Sequence, residues 1–190
     1  MQLFPKADVG QIMSKWTLDP AHSDLLFSIK HLGISTVRGK FPGLSGTAQF
    51  EEADPKSLKL HVEIDATTVN TGNDQRDEHI RSKDFLGVVD FPTITFDSTR
   101  VEPSSPGEGK LYGDLTIRGV TKEVALSVEG PSGEIQDPYG NTKIGASATA
   151  VINRKDFGIS FNHVMEAGAL LIGEELKVTI DVQFTKDATS

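Results

Sequence analysis

The chain has no cysteine, which excludes disulfides, thiolate metal centres and cysteine nucleophiles. Positive charge is in deficit: 19 Lys+Arg stand against 27 Asp+Glu, for a net charge of -8. A protein so charged lacks the field that sequence-independent phosphate binding requires, so nucleic acid is not expected as a partner. Nowhere are there the roughly eighteen consecutive apolar residues of a transmembrane helix. The N-terminus, "MQLFPKADVGQIMSKW", shows no basic stretch followed by an apolar core of about seven to fifteen residues and a small-residue cleavage site. A cytoplasmic location is the expectation. Enzyme signatures are missing too: there is no G-x-S-x-G elbow, H-E-x-x-H helix, P-loop or dinucleotide fingerprint, and the histidine and carboxylate spacing matches no zinc pattern. No catalytic residue, metal or cofactor is therefore assigned.

What is present is a two-residue period. In "LKLHVEIDA", Leu58, Leu60, Val62, Ile64 and Ala66 alternate with Lys59, His61, Glu63 and Asp65, giving a strand with one wet face. "SDLLFSIKH" places Leu25, Phe27, Ile29 and His31 on one side, and "ELKVTIDVQFT" does the same for Leu176, Val178, Ile180, Val182 and Phe184. Further strands fit Thr47 to Phe50, Thr93 to Val101 (with Phe96), Lys110 to Arg118 (with Leu115 and Ile117), Lys122 to Glu129, and Thr142 to Ile152. Turn-forming stretches such as "EADPKS", "EPSSPGEGK" and "GPSGEIQDPYGN" separate them, and short connections favour antiparallel neighbours. About eight such strands, in one domain, make either a sandwich or a closed barrel. Residues 153–173 lack a period and are expected to form a long, partly helical connection.

"KIGASATAVI" bears on that choice, because its apolar face runs Ile144, Ala146, Ala148, Ala150, Ile152. Three stacked alanines leave room that a packed sandwich would fill. Either aromatics such as Phe27 and Phe96 occupy it, or it is one wall of a ligand tunnel in an eight-stranded barrel.

"TGNDQRDEHIRSKDF" is the charged exception. Asn73 or Asp74 caps a helix of about three turns, early acids suit its N-terminus, and Asp77 with Arg81 makes an i,i+4 pair. Ile80 alone can anchor it, so it should cover a rim or barrel end, with Arg76 on the Ile80 face and His79 beside Lys83. A purely solvated helix is the bland alternative.

Seven pieces in order carry a resemblance: "WTLDPAHSDLLFSIKH", "VRGKFPGLSG", "TGNDQRDEHIRSKDF", "DFPTITF", "GDLTIRGVTKEV", "RKDFGI" and "IGEELKVTID". Together they resemble the YceI-like family of lipid-binding, lipocalin-like proteins over about Trp16 to Phe184. That likeness implies an all-β fold, an eight-stranded antiparallel lipocalin-like barrel with one short helix against it, holding a polyisoprenoid or other long-chain amphiphile. His22, His31, Asp77, His79, Arg154, Asp156 and Gly158 fall on the family's recurrent positions. Many relatives carry a secretory signal and work in the periplasm, which this sequence does not match. The expected layout is residues 1–15 as an N-terminal extension, 16–186 as the barrel and 187–190 as a tail.

The expected ligand wall is Leu25, Phe27, Ile29, Phe96, Leu115, Ile117, Ala146, Ala148, Val178 and Ile180, with Arg76, His79 or His31 near a head group. Apolar chain burial, at about 0.8 kcal/mol per methylene, would dominate such binding. Other uses of the same residues stay open. His31 fits a hydrogen-bonded core histidine, "DPAHS" a local turn bonded by Asp19 or Ser23, and "RKDFG" a corner in which Arg154 and Asp156 pair. His22, His79 and His163 with Asp77, Asp156 and Ser23 can be assembled on paper into an enzyme site. A lipid-free scaffold is the third class, and a homodimer suits any of them.

Overall fold

The computed structural model describes residues 13–51, 53–165, 168 and 170–188. Eleven strands occur among them: β1 (Ser14–Leu18), β2 (Asp24–His31), β3 (Ser35–Lys40), β4 (Leu44–Glu51), β5 (Asp54–Asp65), β6 (Thr93–Ser105), β7 (Glu108–Ile117), β8 (Val120–Glu129), β9 (Ile135–Gln136), β10 (Thr142–Asn153) and β11 (Ile172–Lys186). One α-helix, α1 (Asp74–Arg81), and three short 3-10 turns (Pro20–His22, Ala66–Thr68, Arg154–Phe157) complete the described elements. β1 begins at Ser14, so the barrel takes in two residues expected to belong to the N-terminal extension. Most of that extension lies outside the described residues.

Every pairing among these strands is antiparallel. The order β11-β1-β4-β5-β6-β7-β8-β10 returns to β11, closing a ring of eight strands. β11 is long enough to serve two partners on one edge: Phe184 and its neighbours pair with β1, while Ile172 to Asp181 pair with β2. The turn at Pro20–His22 thus lets β1 and β2 run one after the other along the same edge. β3 pairs with β2 and ends the sheet on that side.

Two strands extend through residues expected to be turns, because proline is tolerated there. Pro55 is the second residue of β5, and Pro103 sits at a register shift in the β6–β7 ladder, where a missing N–H costs no hydrogen bond. β1 and β3 are not evident from alternation: one has five residues and the other includes Gly39.

Register puts the apolar faces inside. Leu25, Ile180, Ala148, Val128, Gly109 and Pro103 form one continuous row across six strands. Lys122, Leu115, Phe96, Val62 and Gly46 form another. The end nearest β1 is packed by Trp16, Leu18, Ile144 and Phe184, and the α1 end by Ala66, Val69, Leu86 and Phe157, all buried. Between them Ala146, Ala148, Ala150, Leu176, Val178, Ile180 and Val182 line the same inner face.

Candidate functional site

The alanine strip is the first place to test for space, because two aromatics are the candidates to fill it. Phe27 and Phe96 are buried, but each ring is seated on a glycine. A Cβ at Gly39 would overlap the Phe27 ring, and one at Gly113 would overlap the Phe96 ring, so each ring takes the place a larger residue would need. Phe27 also packs on Phe41, with centroids 5.4 Å apart. Phe27 thus packs against β3 and Phe96 against β7.

The expected wall residues share the inner face. Leu25 and Ile180 are opposite each other, as are Phe27 and Val178, Ile29 and Leu176, and Ile180 and Ala148. Ala146 faces Val182, Phe96 faces Leu115, and Ile117 faces Val120. An open hollow of about 550 Å³ takes in Ala148 and Val128 together with polar residues such as Glu102, Lys110, Glu129 and Thr149. A second, of about 530 Å³, lies among Pro20, Pro42, Glu63, Asp65 and Pro92, away from the expected wall. Neither is an enclosed tunnel.

β8 and β10 are joined only through Ser127 to Glu129 against Ser147 to Thr149. Towards the α1 end the two strands part, and the 3-10 turn Arg154–Phe157 follows β10. Beside that seam stands a residue outside the expected site. Lys122 lies opposite Leu115 and so shares the inner face, yet its side chain is exposed and has no hydrogen bond or ion pair among the described residues. The clue is visible in "VTKEVALSV": Val120, Lys122, Val124, Leu126 and Val128 are one alternating face, and one member is a cation.

The rim helix is two turns long, shorter than expected, because Ser82 turns extended (φ -67, ψ 173). Asn73 caps it as expected, accepting from the Arg76 amide at 2.9 Å. The expected Asp77–Arg81 pair does not form, since loop backbone holds both partners elsewhere. Buried Asp77 accepts from the Thr71 N–H (2.9 Å) and hydroxyl (2.5 Å). Arg81 donates to the carbonyls of Thr67 (2.7 Å) and Val69 (3.1 Å). Arg76 donates to the hydroxyl and carbonyl of Thr71. The charges thus satisfy loop backbone where it crosses the barrel end.

His79 bonds Asp84 at 2.8 Å and meets Phe85 and Phe161 edge to face, with centroids 5.0 and 4.9 Å away. It joins the helix to the loop that precedes β11. His31 ends β2, half-buried opposite Ile172, and its side chain has no hydrogen bond among the described residues, contrary to the core-histidine alternative. Arg76, His79 and His31 therefore occupy the α1 end, but no contact joins the three.

The other two motifs are structural. Asp19 accepts from the Ala21 amide, Ser23 donates to the Asp19 carbonyl, and Lys143 reaches Asp19 at 2.6 Å. Lys143 first, then His22, hold the Asp19 carboxyl down to about 2 from its ordinary 3.8. Arg154 does not pair with Asp156, in contrast to the expected corner. It is buried and donates to the carbonyls of Ile159, Phe161, Gly173 and Ile172, clamping the loop by its backbone. Burial lowers its pKa. No group of His, Cys, Asp and Glu among the described residues is arranged to hold a metal.

A ring of eight antiparallel strands closed around an apolar interior, with one short helix at its end, is a lipocalin-like barrel. Within that class the chain belongs to the YceI-like family, whose domain model matches residues 16–184. A UPF0312 protein of Staphylococcus aureus is 37% identical over 174 residues, which cover 91% of this chain and 98% of that one. The crystal structure of the Campylobacter jejuni YceI protein is similar with a TM-score of 0.70 and 29% identity, covering 99% of this chain and all (100%) of that one. A polyisoprenoid-binding domain from Saccharophagus degradans shares the fold at a TM-score of 0.63, with 18% identity and coverage of 90% and 98%. No helix among the described residues is long and apolar enough to cross a membrane.

Proposed function

We propose that the protein binds one long-chain amphiphile, an isoprenoid or fatty chain, inside the barrel, and sequesters or carries it in the cytoplasm without chemical change. The observation that carries this reading is the continuous inner row Leu25, Ile180, Ala148, Val128, in which the β10 strip Ala146, Ala148, Ala150 presents only methyl groups. Such a surface suits hydrocarbon, each methylene contributing about 0.8 kcal/mol before the costs of binding. The wall is Leu25, Phe27, Ile29, Phe96, Leu115, Ile117, Ala146, Ala148, Val178 and Ile180. Lys122 supplies a cation for a polar head, with His31, Arg76 and His79 at the same end of the barrel. The polyisoprenoid-binding domain of Saccharophagus degradans supports this ligand class through its shared fold.

Native purification, solvent extraction and mass spectrometry provide the test. A stoichiometric isoprenoid or fatty amphiphile is the expected result. If none is extracted and a fluorescent prenyl probe fails to bind the extracted protein, the carrier role is refuted in favour of a lipid-free scaffold.

A further inference from the structure

We propose that the outer face of the β2–β3 hairpin, with the adjoining part of β11, docks on an anionic lipid bilayer. Because Phe27, Ile29 and His31 face inward, the alternate residues face out, and register places Lys40 opposite Leu26, Arg38 opposite Ser28 and Lys30 opposite Thr36. β11 adds Lys177, also opposite Ser28. The side chains of these four cations make no hydrogen bond or ion pair among the described residues. They gather on one face of a chain whose net charge is -8. The acids on this face are Glu175 and, at its far end, Asp24 opposite Asp181.

An apolar tip projects from the same hairpin. Leu32 and Gly33 both take left-handed backbone (φ 54 and 70) in a tight turn, and the next residue, Ile34, is 84% exposed. The Leu32 N–H donates to the Leu171 carbonyl at 2.8 Å, which ties the tip to a loop where Val164 is 74% exposed.

Edge protection accounts for part of this pattern, since β3 ends the sheet and cations on an edge strand discourage pairing with another chain. It does not account for Lys30 and Lys177, which lie on strands paired along both sides, nor for an isoleucine left in water. Nucleic acid would engage the cations and leave Ile34 without a role. A bilayer engages both: cations meet anionic head groups while the apolar tip enters between acyl chains. The opposite face of β2 carries Leu25, Phe27 and Ile29, so a docked barrel would present its lumen wall close to a lipid source.

The test is co-sedimentation of the extracted protein with vesicles of phosphatidylcholine, alone or mixed with phosphatidylglycerol. Binding to the mixed vesicles only, weakened on the order of tenfold by raised salt, by Ile34→Asp and by Lys30→Glu with Lys177→Glu, is the expected result. Lys59→Glu, on the outward face of β5, should leave it unchanged. Thermal melts confirm that the variants fold. Absence of binding to anionic vesicles overturns the proposal, as does equal loss in Lys59→Glu. Retention of RNA by Ile34→Asp as strong as by the parent, without vesicle binding, replaces it with nucleic acid. A dimer that Ile34→Asp dissolves, again without vesicle binding, replaces it with a second copy. Ala148→Phe should leave vesicle binding intact, so failure of the lumen and failure of this surface are separable.

Discussion

Ala148 is the position at which a filled interior and a ligand-holding one predict opposite things. It lies in the inner row between Ile180 and Val128, half-buried and with only a methyl side chain of its own. Replacing its methyl with a benzyl group puts a ring where about four methylenes of a bound chain would lie. At about 0.8 kcal/mol per methylene, the loss is about 3 kcal/mol, or on the order of 100-fold in Kd. If that space is held for ligand, the fold should be nearly untouched, because the ring then displaces no side chain. The assay is titration with a fluorescent prenyl probe, paired with a thermal melt, with outward-facing Thr179→Phe as control. If the strip is packed core, Ala148→Phe instead costs about 1–3 kcal/mol of stability. Unchanged probe affinity with a lowered Tm would refute the wall assignment.

Three further substitutions probe the framework. Gly113→Ala places a methyl against both the Phe96 ring and the Asp97 carbonyl, 2.6 Å away, and should cost about 1–3 kcal/mol in urea unfolding, whereas Gly145→Ala, whose nearest neighbour is 3.6 Å off, should be close to neutral; equal effects would refute the seating of the ring. Arg154→Lys cannot reproduce a fork that serves four carbonyls and should cost about 3 kcal/mol and expose residues 158–165 to proteolysis, an outcome absent if the clamp is dispensable. Asp19 has a folded pKa of about 2 against an ordinary 3.8, so its contribution is present above about pH 4 and fades as pH falls towards 2. With side chains only 16% and 19% exposed, the Asp19–Lys143 pair should make Lys143→Met cost about 1–2 kcal/mol at neutral pH and little near pH 2; a loss independent of pH would refute it.

Alternation makes the strand faces readable in the chain itself, because a side-chain period of two assigns each residue of a strand to one of two sides. Leu25, Phe27, Ile29, Val178 and Ile180 belong to the inner face by that rule, and register puts them there. Lys122 is readable by the same rule. The polar couplings are not. Arg81 serves carbonyls twelve and fourteen residues back, Arg154 serves carbonyls on both sides of a loop, and Asp77 turns to Thr71 in preference to its helical neighbour. Local spacing favours a surface ion pair, but such a pair contributes little, whereas an unsatisfied loop carbonyl at a barrel end costs more.

The chain's own pattern thus determined that it is all-β, where most of its strands lie, which side of each is apolar, and that one short charged helix interrupts them. Only the tertiary structure decided that β11 serves both β1 and β2 and that the sheet closes. It also decided that Phe27 and Phe96 are seated on glycines of neighbouring strands, and that four cations gather beside an exposed isoleucine. Those facts depend on which strands become neighbours, and a period of two is silent about neighbours: it records the two sides of a strand, while lateral order comes from long-range pairing that the whole closed ring must satisfy at once.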